Sequence, residues 1–149
     1  MASSNETPLA AGPAIARTIE LSAGLAAVTA RVAGRADLAR KARSLAEKAA
    51  PLAAEDAEAY QDFLHTRSDE ARRRTIELPL RMAGLAADAA EIAAEAAEAA
   101  EGPVGGDAKV GTLLAETAAR AAAFLVRVNG GGEAGAKASA RAARAAARV

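Results

Sequence analysis

Alanine recurs along this chain at helical spacing, and this feature limits what the chain can fold into more than any other. Alanine has the highest helix propensity of all residues, whereas aromatic residues make up only 2% of the sequence. No run alternates between apolar and polar residues with period two, which a half-buried strand would require. The sequence therefore predicts an all-α fold, a five-helix bundle of long, kinked, alanine-rich helices.

Prolines and glycines divide the chain into these five helices. The first is expected to begin after Thr7-Pro8, or at Pro13, and to run to about residue 32. The others are expected at 36–65, 69–100, 107–128 and 133–148, with Pro51 bending or dividing the second and Pro79 kinking the third. A length of 149 residues is ordinary for one domain, so residues 1–149 are read as a single helical domain. Segment 1–7 is expected to be disordered, and segment 133–149 to form a basic terminal helix.

The composition excludes several classes of protein. Without cysteine the chain can form no disulfide or thiolate metal site. The single histidine, His65, leaves little room for a zinc site or a Ser-His relay, so no metal is expected. A formal net charge of zero gives no overall attraction to nucleic acid. The chain shows neither a secretory signal nor an apolar run that could span a bilayer, so we expect a cytoplasmic protein without nucleic-acid or membrane partners.

Two charged stripes lie on different predicted helices at spacings that place each stripe on one helix face. They consist of Asp88, Glu91, Glu95 and Glu98, and of Lys137, Arg141, Arg144 and Arg148. Each stripe could be a solvated face, or the two could pair within one chain or between subunits. The basic stripe could also contact phosphates, but it lacks the aromatic residues used for base stacking.

A carboxylate interrupts the apolar seam of the second predicted helix. The seam consists of Leu38, Ala42, Leu45, Ala49, Leu52, Ala59 and Phe63. Asp56 occupies a position in this series where alanine or leucine would be the stable choice. A buried carboxylate is costly unless it is paired or protonated, so Asp56 is a candidate for acid-base chemistry. The alternative is that a helix end, water or a neighbouring arginine satisfies it structurally.

The order of four segments resembles the cyclodeaminase and methenyltetrahydrofolate cyclohydrolase family, over residues 7–129. The segments are residues 52–60, which end in Asp56-Ala-Glu-Ala-Tyr60, then Leu78-Pro79-Leu80, residues 102–107, and residues 123–129, which end in Val-Arg-Val-Asn. Members of this family are helical dimers that act on folate one-carbon units. The resemblance implies a homodimer with a tetrahydrofolate derivative as its small-molecule substrate and no cofactor.

The resemblance also implies roles for individual residues. Asp56 would be the general acid-base of cyclisation with loss of ammonia (lyase activity), or of hydrolysis of the methenyl bridge. Asp107 would orient the substrate amine, although it could equally be a simple helix N-cap. The candidate substrate contacts are Gly12, Tyr60, Arg17 and Arg81, with Arg31 as a further possible anion contact.

The N-terminal segment departs from the family pattern. Family enzymes have Pro-Gly-Gly-Gly-Ser before the first helix, where this chain has Ala10-Ala11-Gly12-Pro13, and the proline removes an amide donor. The chain also has Val32-Ala-Gly-Arg35 where the family has Gly-Lys-Lys. Three alternatives follow: an active folate enzyme, a retooled or non-catalytic dimer of the same fold that binds another small molecule or a protein, and a helical scaffold without a pocket.

Overall fold

The computed structural model describes residues 10–149, and over this range the chain is a bundle of α-helices without strands. The helices are α1 (Ala11–Val32), α2 (Ala36–Ala49), α3 (Leu52–Thr66), α4 (Asp69–Ala99), α5 (Val104–Val126) and α6 (Ala136–Ala146), and a turn at Arg127–Gly131 closes α5. The all-α prediction is confirmed. Counted with α2 and α3 as one helix divided at Pro51, the bundle has the five predicted helices. The segment expected to be disordered lies outside the described residues.

Pro51 separates α2 from α3. Because proline has no backbone N–H, it cannot continue the hydrogen-bond ladder, and here it becomes the residue that precedes α3. The apolar seam nevertheless runs through both helices, and Leu38, Leu45 and Leu52 are buried as predicted. Asp56 now lies in the second turn of α3, at the end of the bundle where that helix begins.

Helix α4 is the centre of the bundle, because it contacts all five other helices. Its buried face is mainly alanine, and the largest fully buried side chains around it include Ile19, Leu38, Leu52 and Met82. Small side chains allow the neighbouring helices to approach closely, so few large residues are needed to fill the core. The side-chain oxygen of Ser68 accepts a hydrogen bond of 3.1 Å from the N–H of Ala71, so Ser68 caps the start of α4.

Helices α1 and α5 pack side by side and run in opposite directions. Ser22 Oγ donates to the carbonyl of Gly111 at 2.7 Å, and Thr29 Oγ1 donates to the carbonyl of Val104 at 3.2 Å. A Cβ at Gly111 would lie 3.1 Å from the carbonyl oxygen of Ser22, so glycine is required for this close approach. As a result, the start of α1 lies at the same end of the bundle as the end of α5.

The charged stripes pair within one chain. Arg141 donates to both carboxylate oxygens of Glu91, at 3.0 and 2.7 Å, and to Asp88 at 2.6 Å. Arg148 makes a second two-bond contact, with Glu98, at 2.9 and 2.7 Å, and this contact lowers the pKa of Glu98. These contacts hold α6 against α4, and α6 is shorter than the predicted helix over 133–148.

Large apolar side chains on α5 and on the turn that follows it are exposed to solvent. Val110 and Phe124 of α5 and Val128 of the turn are each more than half exposed. Exposed apolar side chains also lie on the neighbouring α1. We call this surface the α1–α5 face, and its large apolar residues are Leu21, Val28, Val32, Val110, Leu113, Phe124 and Val128. Within residues 10–149, no helix has the length and apolar character needed to cross a membrane.

Candidate active site

The carboxyl group of Asp56 lies directly against the first turn of α1. A Cβ built on Gly12 would overlap Oδ2 and Cγ of Asp56 and would lie 2.8 Å from its Oδ1. Gly12 is buried, so the carboxyl group occupies the space that any larger residue would need. Gly12, the single glycine of segment 10–13, therefore leaves the space that the Asp56 carboxyl group occupies.

Burial raises the pKa of the Asp56 carboxyl group above its ordinary value. Within residues 10–149, no hydrogen bond or ion pair satisfies this carboxyl group. The positive end of the α1 dipole acts in the opposite direction and favours the ionised form. A half-buried carboxyl group with a raised pKa can accept a proton and return it nearer neutral pH than an exposed aspartate can.

Asp56 lines a cleft of about 580 Å³ between the start of α1, α3, α4 and the end of α5. Its walls are Ala10, Ala11, Gly12, Pro13, Asp56, Ala57, Glu58, Tyr60, Gln61, Thr75, Leu125 and Asn129. A mostly apolar wall with a few convergent polar groups is typical of a small-molecule site. Of the predicted site residues, the structure brings Asp56, Gly12 and Tyr60 together, and Tyr60 is 55% exposed at the cleft.

A larger groove lies between α5 and α6, with a volume of about 670 Å³. Its two arginines already have acidic neighbours. Arg120 lies 3.6 Å from Glu116, and Arg127 lies 3.7 Å from Glu133. This groove therefore offers no unpaired acid or base, and the Asp56 cleft is the better candidate on chemical grounds although it is smaller.

Asn129 joins the cleft wall to α4 through an unusual hydrogen bond. Its Nδ2 donates to the backbone carbonyl of Thr75 at 2.7 Å. In a regular helix this carbonyl would accept from the residue four positions later, which here is Pro79 and has no N–H. Asn129 thus satisfies a carbonyl that Pro79 leaves free, and α4 continues through the proline.

The turn at Arg127–Gly131, which closes α5, places Asn129 in this position. Gly130 has φ of 97°, a conformation that side chains disfavour. A Cβ at Gly131 would lie 2.6 Å from Ile76 Cγ2 and 2.7 Å from Val126 Cγ1. The two glycines therefore let the turn pack closely on α4.

Asp107 does not share the cleft with Asp56 within one chain. Helix α5 begins at Val104 with Pro103 as its N-cap, so Asp107 lies in the first turn and is not the cap. It is exposed and lies roughly 27 Å along the helix axis from Leu125, which lines the cleft. Because α5 is long and continuous, its two ends cannot meet at one site.

The predicted arginine contacts lie outside the cleft wall. Arg81 is exposed, and its Nη1 lies 3.4 Å from Glu55 Oε2, which links α4 to α3 one residue before Asp56. Arg17 is exposed on α1, about one turn after Pro13. Arg31 lies in the last turn of α1, at the opposite end of the bundle. The exposed position predicted for His65 is confirmed.

Sequence reasoning missed Thr75, Gln61 and Asn129 as cleft residues. Asn129 carried a signal, because it closes one of the four segments that resemble the family. A second signal was the spacing of four residues between Thr75 and Pro79, which predicts a carbonyl without its helical partner. Across residues 10–149 no group of acidic and histidine side chains could hold a metal ion.

One comparison with known proteins identifies the family of this chain. The family model described as formiminotransferase-cyclodeaminase matches residues 2–148, nearly the entire chain. A search of the curated proteins gave no match. The helical bundle, with its unpaired aspartate, and the match to the family model lead to one conclusion. The chain belongs to the formiminotransferase-cyclodeaminase family, and this membership fits a cyclodeaminase-like role in folate metabolism.

Proposed function

We propose that the protein is an enzyme that converts formiminotetrahydrofolate to methenyltetrahydrofolate and ammonia, or hydrolyses the methenyl bridge, with Asp56 as its general acid-base. The observation that carries this proposal is the Asp56 carboxyl group itself. It is half-buried and without a partner among the described residues, its pKa is raised, and it lines a cleft at the start of α1.

Cyclisation requires one proton to move between two nitrogens. The formimino group reacts in its protonated, amidinium form. Nitrogen N10 of the folate attacks its carbon, so a new C–N bond forms, the C=N bond to the formimino nitrogen becomes single, and the positive charge moves to N10. The ionised Asp56 takes the proton from N10 and then gives it to the formimino nitrogen. The old C–N bond breaks, ammonia leaves, and the methenyl cation remains. One carboxyl group near its pKa can perform both transfers.

The cleft suits a ligand with a planar cationic centre. Its volume of about 580 Å³ falls within the range of small-molecule sites. The ring of Tyr60 offers an aromatic surface at the cleft wall, and aromatic rings of a ligand can stack on such a surface. The ionised form of Asp56 would stabilise the positive charge that develops at the formimino carbon.

The direct test is to incubate the purified protein with formiminotetrahydrofolate. We expect methenyltetrahydrofolate, followed by its absorbance, and ammonia, followed by a coupled assay, to form in equal amounts. The same compound should also raise the melting temperature, because a ligand that binds only the folded state stabilises it. If neither product nor a melting shift is seen with this compound or with methenyltetrahydrofolate, the retooled, non-folate alternative is favoured.

We further propose that the protein is a homodimer and that the α1–α5 face is its interface. Along this face, the exposed stripe of α1 carries Leu21, Val28 and Val32, and each of these side chains is 48% to 65% exposed. Several large apolar side chains exposed on two adjacent helices indicate a surface that another molecule covers. A second copy is the natural occupant, because a two-fold axis would place the same apolar surface on both sides.

Sedimentation tests the dimer. We expect the wild-type protein to sediment as a dimer, and Leu113→Glu to sediment as a monomer, because it places a charge in the interface. Leu113 is 52% exposed in one chain, so this change should leave the helical circular-dichroism spectrum unaltered. Lys48→Glu, an exposed charge change on α2 outside the α1–α5 face, serves as the control. A monomeric wild-type protein would contradict the proposal.

A further inference from the structure

We propose that Asn129 is a ligand-binding residue of the cleft that accepts a hydrogen bond from an N–H group of the ligand, and that Pro79 positions it. This inference rests on the proposed function in that both use the Asp56 cleft. It adds a residue and a chemical preference that the acid-base role of Asp56 does not require.

The orientation of the Asn129 amide follows from its partner. The carbonyl oxygen of Thr75 can only accept a hydrogen bond, so the atom that faces it at 2.7 Å must be Nδ2. Because Pro79 has no N–H, no backbone donor of α4 competes with Asn129 for the carbonyl of Thr75. The amide is therefore held in one of its two possible orientations.

The remaining polar atom of this side chain is Oδ1. Asn129 lines the cleft and is half-buried, and no donor among residues 10–149 bonds its Oδ1. Its Oδ1 is not sealed in the core, because the described residues include no buried polar side-chain atom without a partner. The cleft thus presents an amide oxygen that acts only as an acceptor.

The backbone around Asn129 packs closely on α4. The turn that closes α5 has Gly130 at φ of 97°, and a Cβ at Gly131 would lie 2.6 Å from Ile76 Cγ2 of α4. This close approach holds Asn129 against α4, on the wall of the cleft that also contains Asp56.

The acceptor oxygens of Asn129 and Asp56, with the exposed carboxylate of Glu58 on the same wall, favour ligands that carry N–H donors. A cationic amidine presents N–H groups on two nitrogens, and Asn129 Oδ1 and the Asp56 carboxylate can each accept a hydrogen bond from such a group. A ligand with a carbonyl in the same place would put oxygen against oxygen. The cleft should therefore prefer an amidinium group to an amide of the same shape.

The test uses formamidinium chloride, the smallest amidinium salt, and three variants. Asn129→Leu removes Oδ1 and also leaves the Thr75 carbonyl without its donor. Pro79→Ala restores a backbone N–H four residues after Thr75, and the double variant thus has a satisfied carbonyl without the amide oxygen. Affinity is measured from backbone amide shifts of Gly12 and Gln61 in ¹⁵N-labelled protein, and stability from the melting temperature. Pro79→Ala alone provides the reference for both measurements.

We expect Asn129→Leu to melt at a lower temperature than the wild type, and the double variant to recover most of this loss. The affinity for formamidinium should be roughly 10- to 100-fold lower than in the wild type for both Asn129→Leu and the double variant, because both lack the oxygen that accepts a hydrogen bond from the charged ligand. Recovery of affinity together with stability would show a purely structural role and overturn the proposal.

The same experiment separates the two proposals. If wild-type protein binds formamidinium in an Asn129-dependent way but does not convert formiminotetrahydrofolate, the proposed function fails and the role of Asn129 stands. If the wild-type protein converts the folate and the double variant binds formamidinium like the wild type, the proposed function stands and the role of Asn129 fails. If wild-type protein binds neither compound, both proposals are overturned.

Discussion

Replacing Asp56 with asparagine is expected to abolish most of the activity and, at neutral pH, to raise the melting temperature. General acid-base catalysis contributes on the order of 10²- to 10⁴-fold to a rate, so the loss should be of that size. The gain in stability arises because burial opposes the ionised carboxylate, whereas asparagine carries no charge.

The pH dependence of this gain has a definite sign. The pKa of Asp56 is raised in the folded protein above its ordinary value of 3.8, so the folded state binds the proton more tightly than the unfolded state. The favourable contribution of Asp56 to the free energy of unfolding is present below pH 3.8, and it is lost as the pH rises through the pKa that Asp56 has in the folded protein. The melting temperature of Asp56→Asn should therefore exceed that of the wild type at neutral pH, and the difference should shrink as the pH falls towards 3.8.

Asp62→Asn is the matched control, since it makes the same change on the same helix outside the cleft wall. Its carboxylate lies 4.0 Å from Arg74 and is 42% exposed, so activity should be unchanged. Full activity of Asp56→Asn would remove Asp56 from the mechanism. A lower melting temperature at neutral pH would show that the carboxylate is stabilised in the fold.

Replacing Gly12 with alanine is expected to lower activity roughly 100-fold, the size of loss that a displacement of about 1 Å can cause. The new Cβ would overlap Oδ2 and Cγ of Asp56, so the carboxyl group must move. Melting temperature should change little, because the displaced atoms are the end of a rotatable side chain. Rate and stability are measured on the same preparation.

Gly84→Ala is the control for Gly12→Ala. Gly84 lies inside α4, and a Cβ there would meet nothing within 4 Å. This change should leave activity intact and stabilise the protein by up to about 1 kcal/mol, because alanine favours helix over glycine. Wild-type activity in Gly12→Ala would mean that the observed position of the Asp56 carboxyl group is not needed for catalysis.

The helices themselves could be predicted because their causes are local. Alanine propensity and the missing N–H of Pro51 act within a few residues, and both the helical fold and the division at Pro51 are confirmed. The start of α5 was placed too late, since Asp107 was read as a cap. An acidic residue near a helix start is compatible with either position, and local chemistry does not choose between them.

The sequence by itself determined the fold class, the division of the chain into helices and the presence of a carboxylate at an apolar position. Only the tertiary structure decided what surrounds that carboxylate. Asp56 lies against Gly12 of a different helix, and Asn129 bonds a carbonyl 54 residues away. The same packing excludes Asp107 from the cleft and leaves the α1–α5 face exposed. The reason is physical: helix periodicity sets which side chains share a face, whereas the environment of a side chain depends on which other helices pack against that face.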